Sequence, residues 1–174
     1  MKSTDTDIQK INRPMQENLF TQYYSSPIGF FEIQATEIGL RAANFVDVPV
    51  VEENINGVTE SVSKQLAEYF AGVRHTFDVT FDFEGTPFQK TVWQTLLTIP
   101  YGKTRSYMEL AKKLGDAKKV RAVGLANGQN KISVIVPCHR VIGSDGTLVG
   151  YAGGLHRKKF LLELENPTKQ GVLF

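Results

Sequence analysis

The sequence predicts an α+β protein, with a small α/β unit over residues 1–85 followed by a mainly helical unit over residues 86–174. Two observations lead to this. Short aromatic and apolar runs broken by turn signals open the first half, whereas from Thr86 onward apolar residues recur at helical spacing. The charge divides at the same point. Residues 1–85 carry 6 Lys and Arg against 13 Asp and Glu, a net of −7, and residues 86–174 carry 14 against 5, a net of +9. Such segregation points to a polyanionic partner for the second half.

In the first unit, FTQYY, IGFFEIQA and LRAANFV are separated by Ser25-Ser26-Pro27 and Glu37-Ile38-Gly39, which predicts an antiparallel meander between Phe20 and Val46. After Gly57 the period changes. Val62, Leu66, Tyr69 and Phe70 fall on one helical face, and Gly72 supplies a stop. HTFDVTFDF alternates again and predicts a further strand.

In the second unit, Thr86 and Pro87 form a helix start, with Phe88, Val92, Trp93, Leu96 and Leu97 as the apolar face and Pro100 as its end. Ser106-Tyr107-Met108-Glu109 is a capping box for a helix faced by Tyr107, Leu110, Ala111 and Leu114 and stopped by Gly115. Asp116 then caps a second helix, AKKVRAVGLANG, giving a helix-turn-helix. Ala122, Gly124, Ala126 and Gly128 offer small side chains for close approach to a nucleic-acid groove, and Lys118, Lys119 and Arg121 offer charge for phosphates. Tight helix packing is the blander use of the same small residues.

The remaining composition narrows the function. With 41% hydrophobic and 22% charged residues the chain has a globular composition, and no apolar run approaches the roughly 18 residues of a membrane span. The N-terminal MKSTDTDIQKINRPMQEN lacks the apolar segment of a secretory signal, so a soluble cytoplasmic protein is expected. Cys138 is the only cysteine and excludes an intramolecular disulfide and a cysteine-paired zinc site. His75, His139 and His156 have no metal-ligand spacing, and neither a metal nor a cofactor is expected.

Ile132-Ser-Val-Ile-Val-Pro-Cys-His-Arg-Val141 contains the chemistry. A regular strand would point Cys138 and His139 to opposite faces, so a turn or short helix must begin at Pro137. A cysteine in a first helical turn meets free N–H groups at the positive dipole end, which lowers the thiol pKa. His139 is the nearest proton acceptor, directly or through water, and Glu163 or Glu165 on LHRKKFLLELE can orient it. Arg140 reads as a salt-bridge or carbonyl partner.

IVPCHRVIG, with RAVGLANGQN upstream and GYAGGL downstream, resembles the signature of methylated-DNA–protein-cysteine methyltransferases, the O6-alkylguanine-DNA alkyltransferases. The resemblance is close over residues 86–174. The first half is similar in layout to the family's ribonuclease H-like domain, and the second unit is then winged-helix-like. It implies that Cys138 attacks the alkyl carbon on O6 of guanine, or on O4 of thymine, with His139 as base through a water and Glu165 as its orienting carboxylate. It further implies that Tyr107 contacts the flipped base and protonates the leaving guanine, that Arg121 fills the stack, and that Asn130 braces the turn. Tyr151, with Val141 and Ala152, would wall the base pocket.

The implied partner is double-stranded DNA with alkylated bases, bound by the protein as a monomer through the minor groove, with cooperative loading along DNA left open. No membrane is involved. A thioether has no easy leaving group, so one alkyl group would consume one molecule. Lys131 departs from the family's proline after the asparagine and loosens that turn. Two rival readings keep the same residues. A non-catalytic lesion sensor or transcription regulator would have no need of Cys138, and a Cys-His hydrolase would turn over many times.

Overall fold

A computed structural model describes residues 17–167, so all but the last two residues of the polar N-terminal stretch lie outside the described part. Strands β1 (Phe20–Ser26), β2 (Gly29–Ala35) and β3 (Leu40–Val46) form an antiparallel sheet in chain order. The β1–β2 turn closes where the Ser26 hydroxyl donates to the Gly29 carbonyl at 2.6 Å, and Gly29 takes a φ of +125° that other residues rarely adopt. Phe31, Ile33 and Ala35, two apart on β2, are fully buried against helix α1 (Gly57–Phe70). Asn56 and Thr59 cap α1 reciprocally, and Val62, Leu66 and Tyr69 form its buried face.

The strand expected over HTFDVTFDF does not form. Its alternation is real, with Phe77, Val79, Phe81 and Phe83 turned towards the core. The backbone, however, pairs with β3 only around Leu40, which donates to Thr80 O at 2.8 Å and accepts from Asp82 N at 2.9 Å. Upstream, the Gln65 amide takes both backbone groups of Asp78, at 2.8 and 2.9 Å. A side chain thus satisfies groups that a ladder would otherwise claim.

Helix α2 (Pro87–Leu96) starts at the capping box of Thr86 and Gln89, and buried Trp93 donates from Nε1 to the Ala126 carbonyl at 2.9 Å. Helix α3 (Tyr107–Lys113) starts at the capping box of Ser106 and Glu109, and Gly115 ends that segment at φ +93°. The single helix expected over AKKVRAVGLANG is divided. Asp116 caps only a 3-10 turn, Ala117–Lys119, after which α4 runs over Val120–Gly128. Helix α5 (Leu155–Glu165) closes the unit, and among the described residues no helix is long and apolar enough to cross a membrane.

Two short strands escaped the sequence reading. β4 (Arg105–Ser106) and β5 (Val141–Ile142) pair in parallel, Arg105 opposite Val141. Because α3 leaves β4 and Cys138-His139-Arg140 enter β5, this pair brings Tyr107 to the segment containing the cysteine. The first unit also holds that segment. The Ala43 N–H of β3 donates to Lys131 O at 2.9 Å, and Ser133 N donates to Ala43 O at 2.8 Å. One hydrophobic core runs through both units.

Candidate active site

The cysteine sits at the end of a turn that a single side chain organises. Asn130, buried, donates from Nδ2 to Ile132 O (3.1 Å) and Val136 O (2.9 Å) and accepts the Ile132 N–H at 2.9 Å. Within the turn Val134 has φ +70°, a left-handed conformation that a β-branched residue adopts only under constraint. Lys131, expected to loosen the turn, places Nζ 3.5 Å from Glu84. Cys138, His139 and Arg140 then form one 3-10 turn, all three buried.

Glu165 collects the donors of this turn. Its Oε1 lies 2.7 Å from His139 Nε2 and accepts from the Tyr69 hydroxyl at 2.7 Å and Arg140 Nη2 at 2.9 Å. Its Oε2 accepts from Arg140 Nε at 2.9 Å and from the Gly102 N–H at 3.4 Å. Arg140 also donates from Nη1 to Ile99 O at 2.7 Å. The two carboxylates that the residue pattern left open, of which the resemblance favoured Glu165, are thereby separated. Glu163 faces outward, 3.9 Å from Lys159, and has no part in this cluster.

Electrostatics fixes the tautomer. Burial would push the Glu165 carboxyl up, but His139 and Arg140 outweigh it and hold the group well below the usual carboxylate range. Burial lowers His139, more than Glu165 raises it, so the ring is neutral. An ionised carboxylate only accepts, so Nε2 bears the proton and Nδ1 presents a lone pair. Nδ1 has no hydrogen-bond partner among the described residues. The ring can therefore accept a proton at Nδ1 while Glu165 stabilises the imidazolium formed.

The thiol corrects one expectation. Burial raises the Cys138 pKa, and the Asn130 side chain, Lys158 and the backbone N–H groups offset this only in part. A three-residue 3-10 turn has too few aligned peptides to act as a helix dipole. Cys138 thus rests as a thiol and requires a base.

Two tyrosines flank it. Tyr107 opens α3, donates its hydroxyl to Val149 O at 3.0 Å, and is held neutral by burial and by the nearby cysteine. Tyr151 is pushed well up by the same two causes, which the Ser133 side chain offsets only in part. Val141 is fully buried and Ala152 exposed.

The family described as "6-O-methylguanine DNA methyltransferase, ribonuclease-like domain" matches residues 19–83, and its "DNA binding domain" matches residues 87–167. A methylated-DNA–protein-cysteine methyltransferase of Methanosarcina acetivorans is 48% identical over 153 residues, covering 84% of this chain and 98% of the relative. The chain belongs to the methylated-DNA–protein-cysteine methyltransferase family. The Mycobacterium tuberculosis O6-methylguanine methyltransferase structure superposes with a TM-score of 0.78 at 43% identity, covering 90% of this chain and 98% of that one. The same M. tuberculosis protein in complex with DNA gives 0.77 at 45% identity, covering 84% and 93%.

Within this methyltransferase fold, the surface of α4 differs from the sequence expectation. Arg121, Ala122, Leu125 and Gly128 are exposed, as are Lys118 and Lys119 in the preceding turn. Ala126 is buried at 2% exposure beneath Trp93, and a Cβ on Gly124 would meet the Tyr107 ring at 3.7 Å. Ala126 therefore does not belong to an open groove-binding face, whereas Gly124 is half-buried. Choosing every second residue follows a strand period, and on a helix positions two apart point about 200° away from each other. Ala126 instead packs α4 on Trp93 of α2.

Lys158 was not anticipated. It is fully buried, donates to Val141 O at 2.5 Å, Val149 O at 2.9 Å and Gly150 O at 3.5 Å, and burial lowers its pKa to about 8. It ties β5 to the glycine loop. A lysine among apolar neighbours on the α5 segment was its only sequence signal. Tyr69 gave none, since its partner lies 96 residues away.

Proposed function

We propose that this protein repairs DNA by transferring the alkyl group of O6-alkylguanine irreversibly to Cys138, with O4-alkylthymine as a second substrate. The neutral His139, anchored through Nε2 to Glu165 with Nδ1 unpartnered, is the observation that supports this reading most. His139 takes the thiol proton at Nδ1 through a bridging water. The sulfur then attacks the alkyl carbon, so an S–C bond forms as the C–O6 bond breaks, and the leaving guanine receives a proton from the neutral Tyr107 hydroxyl.

A base within a duplex cannot present that carbon, so the nucleotide is flipped into a pocket walled by Tyr151, Val141 and Ala152, at a cost of a few kcal/mol. Arg121 enters the stack in its place. Lys118 and Lys119 hold phosphates, and the protein acts in the cytoplasm as a monomer on the minor groove. Asn130 keeps the cysteine turn closed.

Duplex DNA bearing labelled O6-methylguanine tests the proposal. One equivalent of label should appear on the Cys138 peptide by mass spectrometry and none in Cys138→Ala. Repeated turnover, or label on the alanine variant, sinks it.

A further inference from the structure

The Tyr151–Gly154 loop has a support outside its own domain. Arg157 donates from Nε to the Ile28 carbonyl in the β1–β2 turn at 2.8 Å and from Nη1 to Gly153 O at 3.1 Å. Its guanidinium lies 4.4 Å from the centroid of the Phe45 ring of β3. Two glycines make the junction possible. A Cβ on Gly29 would meet Arg157 Nη2 at 2.8 Å, and one on Gly153 would meet the Tyr151 ring at 2.8 Å and the Phe45 ring at 3.0 Å.

The chemistry of the junction calls for arginine. A planar fork can hydrogen-bond two carbonyls while stacking on an aromatic ring, which a lysine cannot do. These contacts are to Ile28, Gly153 and Phe45 and leave Cys138, His139 and Glu165 untouched. They act on the loop whose Tyr151 ring packs against the core cluster that includes Cys138.

We propose that Arg157 is a positioning residue that pins the Tyr151–Gly154 loop to the N-terminal sheet and thereby limits the size of alkyl group that reaches Cys138. This rests on the reading of that loop as a wall of the base pocket. The N-terminal domain then takes part in substrate selection: β3 holds the cysteine turn through Ala43 and the loop's anchor, Arg157, through Phe45.

The test compares single-turnover transfer from O6-methylguanine and O6-ethylguanine placed in the same duplex. Effects on DNA affinity multiply both rates alike and cancel in their ratio. Freed from its anchor, the loop should yield to the extra methylene, so Arg157→Met should raise the ethyl-to-methyl ratio by about fivefold, below the roughly tenfold or more that one methylene commands in a rigid apolar pocket because the loop is loosened and not removed. Phe45→Leu, which removes the ring and spares the hydrogen bonds, should shift the ratio the same way by less. It also serves if Arg157→Met fails to fold. An unchanged ratio, including equal slowing of both transfers, overturns the role of Arg157. Wild-type protein that alkylates Cys138 from neither lesion would instead overturn the proposed function.

Discussion

Two ion clusters in this molecule use the same ingredients to different ends. In the N-terminal unit Arg41 gathers Asp82, Glu17 and Glu84, but the last two carboxylate side chains are 54% and 61% exposed. In the C-terminal unit Arg140 and His139 meet Glu165, whose side chain is 1% exposed. Bulk solvent reaches the first cluster and not the second. Exposed pairs contribute little, whereas a buried charge must have all its partners, and that demand fixes geometry. The Arg41 cluster can therefore shift at little cost, while the Glu165 cluster holds one imidazole in one tautomer.

The largest effect should come from Glu165→Gln. A neutral amide cannot balance buried Arg140, and its NH2 group turns a donor towards donors. Stability should fall by about 3–5 kcal/mol in urea melts, and the single-turnover transfer rate should fall by about 10²-fold or more as His139 loses its orientation. A loss comparable to that of an exposed pair would remove the distinction between the clusters.

Acid should dismantle the buried cluster in two stages. His139 has a lowered pKa in the folded state, so the unfolded chain binds its proton first, and stability falls as pH drops below about 6.5. Glu165 is also depressed, and its contribution, present above the ordinary value of about 4.3, is lost as pH falls towards its folded value. Urea midpoints from pH 8 down to about pH 2 should show both declines, the Glu165 decline below about pH 4, and His139→Gln should flatten the first. An unaltered slope in that variant would mean that His139 is not held neutral.

How much of this was legible beforehand follows from range. The meander, α1, α2 and α3 announce themselves through local period and caps such as Thr86 and Ser106, and the Cys138-His139 pair is contiguous. Residue pattern alone narrowed the carboxylate to Glu163 or Glu165 and the family resemblance selected Glu165, because the choice depends on how α5 packs. Lys158, Tyr69 and Arg157 act on backbone or side chains far along the chain, where no period links donor to acceptor. The failures are equally physical. Alternation over residues 75–83 recorded which side faces the core and not whether a strand lay alongside, and the Cys138 turn proved too short to lower a thiol pKa.

The smallest effect is expected from Asp82→Asn, which separates burial from mere pairing. Burial would raise Asp82, but hydrogen bonds from Thr36 and Arg41 bring it below its ordinary value, so it stabilises the fold above about pH 4. Its side chain and that of Arg41 are 18% and 17% exposed, and Glu17 and Glu84 remain to neutralise the guanidinium once Asp82 is changed. The loss in urea melts should be about 1 kcal/mol. Raising salt to about 0.5 M should shrink it, because screening acts on charges that face solvent. The same salt should leave the Glu165→Gln loss nearly intact. Equal salt sensitivity of the two variants would show that solvent reaches Glu165 as well, and sealing could no longer explain how His139 is held.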